Sequence, residues 1–252
     1  MSLANTQLFG AAAALAAAVV LLPTQANAES IVVRASGPSA KAYTPGKKLA
    51  DNISLTLKAG DVVTLLDGRG TRTLRGPGTF GSTSSPAAGS DTRTSLATLL
   101  ETKRVMRART GAVRSGLEQV TTPRSPNLWY VDISQASAVC VADPSNIRLW
   151  RPAKDDAATV TIKGANGATA DVSFAAGDAV AQWPAALPVT QGAGYSLSWA
   201  GLPTAVKISF ALMEPGSEGL ENMASALISR KCDAQLNLLV ETVALPDPAP
   251  DL

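Results

Sequence analysis

Histidine is missing from this chain altogether. That excludes the usual neutral-pH general base and the commonest transition-metal ligand. A serine nucleophile would then need a lysine or a carboxylate as its base, yet no S-x-x-K or G-x-S-x-G element occurs after the first 28 residues. Charge of one sign is scarce too. The formal net charge is +2, so no whole-protein field points to nucleic acid. Aromatic residues make up only 4% of the chain, which suits thin β layers better than a thick helical core. Calcium would need an oxygen-rich loop of spaced acids, and none is present. The chain is therefore read as a non-enzyme that takes no metal and no cofactor.

What is present starts with an apolar, alanine-rich run from Phe9 to Leu22 that stops at Pro23. Ala26-Asn27-Ala28 is a small-x-small cleavage sequence. Residues 1–28 are thus predicted to be a signal peptide cleaved after Ala28, leaving a periplasmic or secreted protein with no integral membrane span. Retention of the run as an uncleaved anchor is the alternative. In an oxidising compartment the only two cysteines, Cys140 and Cys232, are expected to form a disulfide. Two lone cysteines without histidine make a poor metal site.

Along the rest of the chain the predicted class is mainly β. A small N-terminal antiparallel β domain (29–80) precedes an immunoglobulin-like β-sandwich (126–214) and a C-terminal helical segment (215–245). In the first unit "IVVRA" and "ISLTL" read as strands, and Asp67-Gly68 joins "VVTLLD" to "TRTLRG" in a tight hairpin, with Arg69-Gly70 able to add a bulge. The string "LKAGDVVTLLDGRGTRTLRGPGTF" resembles the periplasmic FecR domain: a G-D step into a strand, a D-G hairpin, then a strand closing at a glycine-proline turn. The resemblance covers residues 31–80. It implies a β module of the kind that senses a periplasmic signal and relays it through a membrane helix to a sigma-factor-controlling segment. No cytoplasmic segment precedes the apolar run, so the module is expected here without the anti-sigma function.

"GPGTFG" (76–81) also matches the G-x-G-x-x-G dinucleotide fingerprint. That fingerprint requires a helix to open at the turn, and Ser, Thr, Pro and Gly follow instead. It is read as scaffold, and residues 76–95 as a flexible connector on composition. A helical, basic stretch lies within the linker 81–125, where Arg104, Arg107, Arg109 and Arg114 offer docking for an anionic partner, or simply a solvated face.

The sandwich is predicted from eight strands with turn signals about every ten residues: "LWYVDIS", "AVCVAD", "IRLWRP", "ATVTIKG", "TADVSF", "AVAQWP", "YSLSWA" and "AVKISFALM". Trp129, Trp150, Trp183 and Trp199 are read as core, with a carbohydrate-stacking row as the alternative. After it, Leu220, Met223, Ala224, Leu227 and Ile228 form one apolar helix face, with Ser217 as the N-cap. Asp233 is the expected cap of a second helix carrying Leu236, Leu239, Val240 and Val243. Asp155-Asp156 and Glu218 with Glu221, the nearest approach to paired carboxylates, are read as solvated acids. The tail 246–252 is expected to be disordered.

These readings converge on a non-catalytic exported sensor, adaptor or scaffold that acts through an envelope protein partner and not through nucleic acid. A carbohydrate or peptidoglycan binder using the sandwich tryptophans is the alternative, and a hydrolase without histidine the remote third.

Overall fold

The computed structural model describes residues 29–82, 100, 123–214 and 219–244. The fold is mainly β, with two short helices near the end of the chain. In the first unit the strands β1 (Ser30–Ser36), β2 (Lys48–Leu49), β4 (Val62–Asp67) and β5 (Gly70–Arg75) form an antiparallel sheet in the order β2-β1-β4-β5. A separate pair, β3 (Ser54–Leu57) and β6 (Gly78–Gly81), packs on one face of it. Val32, Val63, Leu65 and Leu74 meet Leu55 and Leu57 there. Ile31, Val33 and Leu66 turn to the other face and meet the C-terminal helices. Burial on both faces explains why "IVV" and "VVTLL" are nearly continuous apolar runs and not alternating ones. A register shift in β1 between Val32 and Arg34 keeps Arg34 on the helix side.

Two details of this unit differ from the sequence reading. Gly78–Gly81 is a strand and not connector, because Leu55 pairs with Phe80 from more than twenty positions away. The β4–β5 hairpin pairs Asp67 with Gly70 without a bulge, and the left-handed φ (146°) falls on Gly70. Asp67 Oδ1 accepts the N–H groups of Arg69 at 2.8 Å and Gly70 at 3.3 Å, an aspartate-closed turn.

Gly76, the first glycine of the fingerprint-like string, has a structural task. A Cβ at this position would stand 2.1 Å from the Lys58 carbonyl oxygen, while the Gly76 N–H donates to the Asp61 carbonyl at 2.9 Å. The glycine is there for backbone approaching backbone. Gly76→Ala is therefore expected to lower stability by about 2 kcal/mol, read as a lower urea midpoint at unchanged slope; an unchanged midpoint would refute the steric account.

The second unit is a sandwich of two sheets. One runs β11 (Thr169–Phe174), β10 (Ala158–Gly164), β13 (Gly194–Ser198), β14 (Val206–Leu212), β8 (Ser137–Val141); the other runs β12 (Val180–Gln182), β9 (Arg148–Trp150), β7 (Tyr130–Asp132). All eight expected strands are present. The β14–β8 and β7–β9 pairs are parallel, a feature that leaves no mark in local patterning. Both sheets feed one core, in which Trp183, Tyr195 and Phe210 meet edge to face at 5.0–5.8 Å. Tyr195 donates its hydroxyl to the Pro188 carbonyl at 2.5 Å, and Trp183 its indole N–H to the Leu187 carbonyl at 2.7 Å, so both polar tips pin the same loop. Arg151, buried against the Phe174 ring, donates to the Asp178 and Ala175 carbonyls and stitches two loops together.

Helices α1 (Leu220–Ser229) and α2 (Asp233–Thr242) form a wedge between the two β units. The expected apolar faces are the buried ones: Leu220, Ala224 and Leu227 on α1, and Leu236, Leu239 and Val240 on α2. The caps differ from expectation. Gly219, at φ 88°, precedes α1 and Ser217 lies outside the described residues; Cys232 precedes α2, and Asp233 occupies its first turn, where a carboxylate favours the helix N-terminus without capping it. One apolar cluster unites Ile31 and Leu66 of the first unit, Leu128 and Ala211 of the second, and both helices. Thr71 reinforces the joint, donating its N–H to the Val243 carbonyl at 2.9 Å and its hydroxyl to the Val240 carbonyl at 2.7 Å.

Candidate functional site

Cys140 on β8 and Cys232 between the helices are bonded, with Cα atoms 5.8 Å apart and both residues fully buried. The bond ties the helical wedge to the sandwich, as the sequence reading expects. Three positions beyond Cys232, Gln235 enters the same interface and is only 6% exposed. Its side-chain oxygen accepts the Cys140 N–H at 2.6 Å. Its amide nitrogen donates to the Cys140 carbonyl at 2.9 Å and the Leu128 carbonyl at 2.8 Å. β8 is the outermost strand of its sheet, and Gln235 satisfies it there as a neighbouring strand would.

Beside this clamp a groove of about 710 Å³ opens between α2, β7 and β8. Its apolar floor includes Leu128, Tyr130 and Val139. Among the lining residues, Glu241 of α2 pairs with Arg124 and lies 3.9 Å from Arg34. Arg34 also donates to the Asn237 side-chain oxygen, from Nε at 3.2 Å and Nη2 at 2.5 Å. Asp132 also lines the groove, and accepts the Ser134 N–H (2.9 Å) and hydroxyl (2.6 Å) and the Gln135 amide (2.8 Å). The groove thus combines apolar lining residues with a few fixed polar groups, the usual make-up of a recognition surface.

Ionisable groups displaced from their ordinary behaviour lie elsewhere, and on separate parts of the molecule. Burial pushes the Asp61 carboxyl up, but hydrogen bonds from Ser39 and Lys58 and the nearby Lys58 charge outweigh it, and the net displacement is downward. Its oxygens accept the Ser39 N–H at 2.8 Å and the Lys58 N–H at 2.6 Å. Asp61 closes the turn ahead of β4. Hydrogen bonds from Ser145 lower Asp143, burial raises Tyr195, and burial, partly offset by Asp67, lowers Arg72. None of these four lines the groove. Asp155 and Asp156 are exposed, and Glu218 lies outside the described residues. Among the described residues no three potential metal ligands gather.

The linkage at Asp61 gives a pH prediction. Its folded pKa lies below its unfolded value of about 3.9, so its stabilisation is complete above that value and is lost as pH falls towards the folded pKa. Asp61→Asn is expected to flatten the acid limb of the stability–pH curve below about pH 4. A limb as steep as that of the unaltered protein would assign the effect to other groups.

The basic residues Arg104, Arg107, Arg109 and Arg114 lie outside the described residues. The four tryptophans form no exposed row: Trp150 and Trp183 are buried, and Trp129 and Trp199 pack half-buried on two different clusters. The sequence reading missed Gln235, Glu241 and Arg34. One signal was available for Gln235, a polar residue on the helix face that carries Cys232 and Leu239. Compared with protein-family models, with curated proteins and with solved structures, the chain matches none of them.

Proposed function

We propose that this protein is a non-catalytic, exported module of the periplasm that acts as a sensor, adaptor or scaffold by binding another protein of the envelope. The observation that carries the reading is the groove between α2 and the edges of the sandwich, with its apolar lining and fixed polar groups. The buried disulfide supports an oxidising compartment. No helix of the described residues is long and apolar enough to cross a membrane. The FecR-like character of residues 31–80 belongs to the same proposal, as a signal-responsive module joined to the sandwich.

The test places a photo-crosslinking residue at Asn237, on the groove wall, and at Lys163 on β10, three strands away from β8 in the same sheet and outside the groove lining, in cells expressing the full chain. Crosslinks from the Asn237 probe to one envelope protein, identified by mass spectrometry, are the expected result. Equal yields from both positions, or turnover of chromogenic esters or glycosides by the purified protein, would overturn the reading. Iodide quenching gives an independent check. Tryptophans packed into the cores should be largely protected, whereas strong quenching relieved by soluble glycans would shift the reading to carbohydrate binding.

A further inference from the structure

The outer edge of β8 is only half covered. Backbone groups alternate in direction along a strand as side chains do. The Val141 carbonyl accepts the Met213 N–H at 2.8 Å, which turns the backbone groups of Val139 and Val141 towards β14 and those of Ala138 and Cys140 away from it. Gln235 occupies the outward pair at Cys140. The outward N–H and C=O of Ala138 meet no partner among the described residues, and Ala138 lines the groove. The same alternation holds across the groove on β7. There Ile133 donates to the Trp150 carbonyl at 3.0 Å, which directs the backbone groups of Asp132 away from β9.

The donor and acceptor on Ala138 have the spacing of a ladder, and a second extended backbone supplies the complement to both. Charge adds a preference. Glu241 already has cations beside it, whereas Asp132 forms no ion pair among the described residues. We infer that the groove receives an extended segment of a partner polypeptide, added as a strand to β8 at Ala138, with a lysine or arginine of that segment directed at Asp132. The inference rests on the protein-binding reading and gives the partner its chemistry.

The experiment pans a displayed library of random heptapeptides against the full chain and measures the enriched peptides by fluorescence anisotropy. Enriched sequences should carry Lys or Arg. N-methylation along the best peptide should abolish binding at one residue, the one whose N–H meets the Ala138 carbonyl, and spare its neighbours, because Gln235 already occupies the other outward pair of β8. Ala138→Pro removes the outward N–H at an edge position where proline is tolerated, and should weaken binding at least tenfold; Asp132→Asn should weaken it about fivefold and reduce its salt dependence. Failure of any peptide to enrich, or uniform sensitivity to N-methylation, would overturn the inference. The N-methyl series uses the unaltered protein, so it decides even if Ala138→Pro does not fold. A partner crosslinked in the envelope at another surface would remove the β8 inference and leave the protein-binding reading standing.

Discussion

Replacing Cys140 and Cys232 together with alanine is expected to lower the stability of the folded chain by about 4–5 kcal/mol. The bridge closes a segment of 92 residues, so most of its effect falls on the unfolded chain, which gains the freedom the bond had denied it. The variant also loses sulfur packing at a site closed to solvent. Urea denaturation of the oxidised protein and the double variant checks the figure. A difference below about 1 kcal/mol would mean that the wedge holds the sandwich without the bond. Because both half-cystines are buried, dithiothreitol should release no thiol under native conditions and two per chain in urea.

Gln235→Leu should cost about 4 kcal/mol, although leucine suits the helix. Three backbone groups would lose their partner at once, the N–H and C=O of Cys140 and the C=O of Leu128, each at about 1–3 kcal/mol when left dry. Gln235→Glu separates this cause from simple packing. A carboxylate there keeps the acceptor for Cys140 N–H but faces two carbonyl oxygens, so its folded pKa should rise above the unfolded value. The Glu variant should then gain stability as pH falls through the raised folded pKa towards the unfolded value of about 4.3. If Leu and Glu variants unfold with the unaltered protein at every pH, the clamp contributes nothing.

The parts of this architecture legible beforehand are those written in local periodicity. Leu220, Ala224 and Leu227 announce α1 by their spacing alone, and Val206, Ile208 and Phe210 announce β14 against exposed Lys207 and Ser209. The likeness between "KAGDVV" and "AAGDAV" is legible too, as turn chemistry. Gly60 and Gly177 both take positive φ in turns closed by Asp61 N–H on the Lys58 carbonyl and Asp178 N–H on the Ala175 carbonyl. What escaped depends on distant partners. The string "GTFG" has no alternation and becomes β6 only because β3 lies beside it. The groove joins residues more than a hundred positions apart, and only the oddity of a glutamine on an apolar helix face hinted at it.

The helical wedge also has a bearing on how the chain reaches its native state. Arg34 meets Asn237 across 203 positions, and Thr71 meets Val240 across 169. Synthesis must also pass α1 (Leu220–Ser229) before β1 and β4, which carry Ile31, Val33 and Leu66, meet the helix that lies against them. Until then the first sheet stays greasy on one side, and such delayed, long-range closure is slow. A nascent polypeptide of this design remains unlatched for most of its passage off the ribosome, the state that the export proposed above would need.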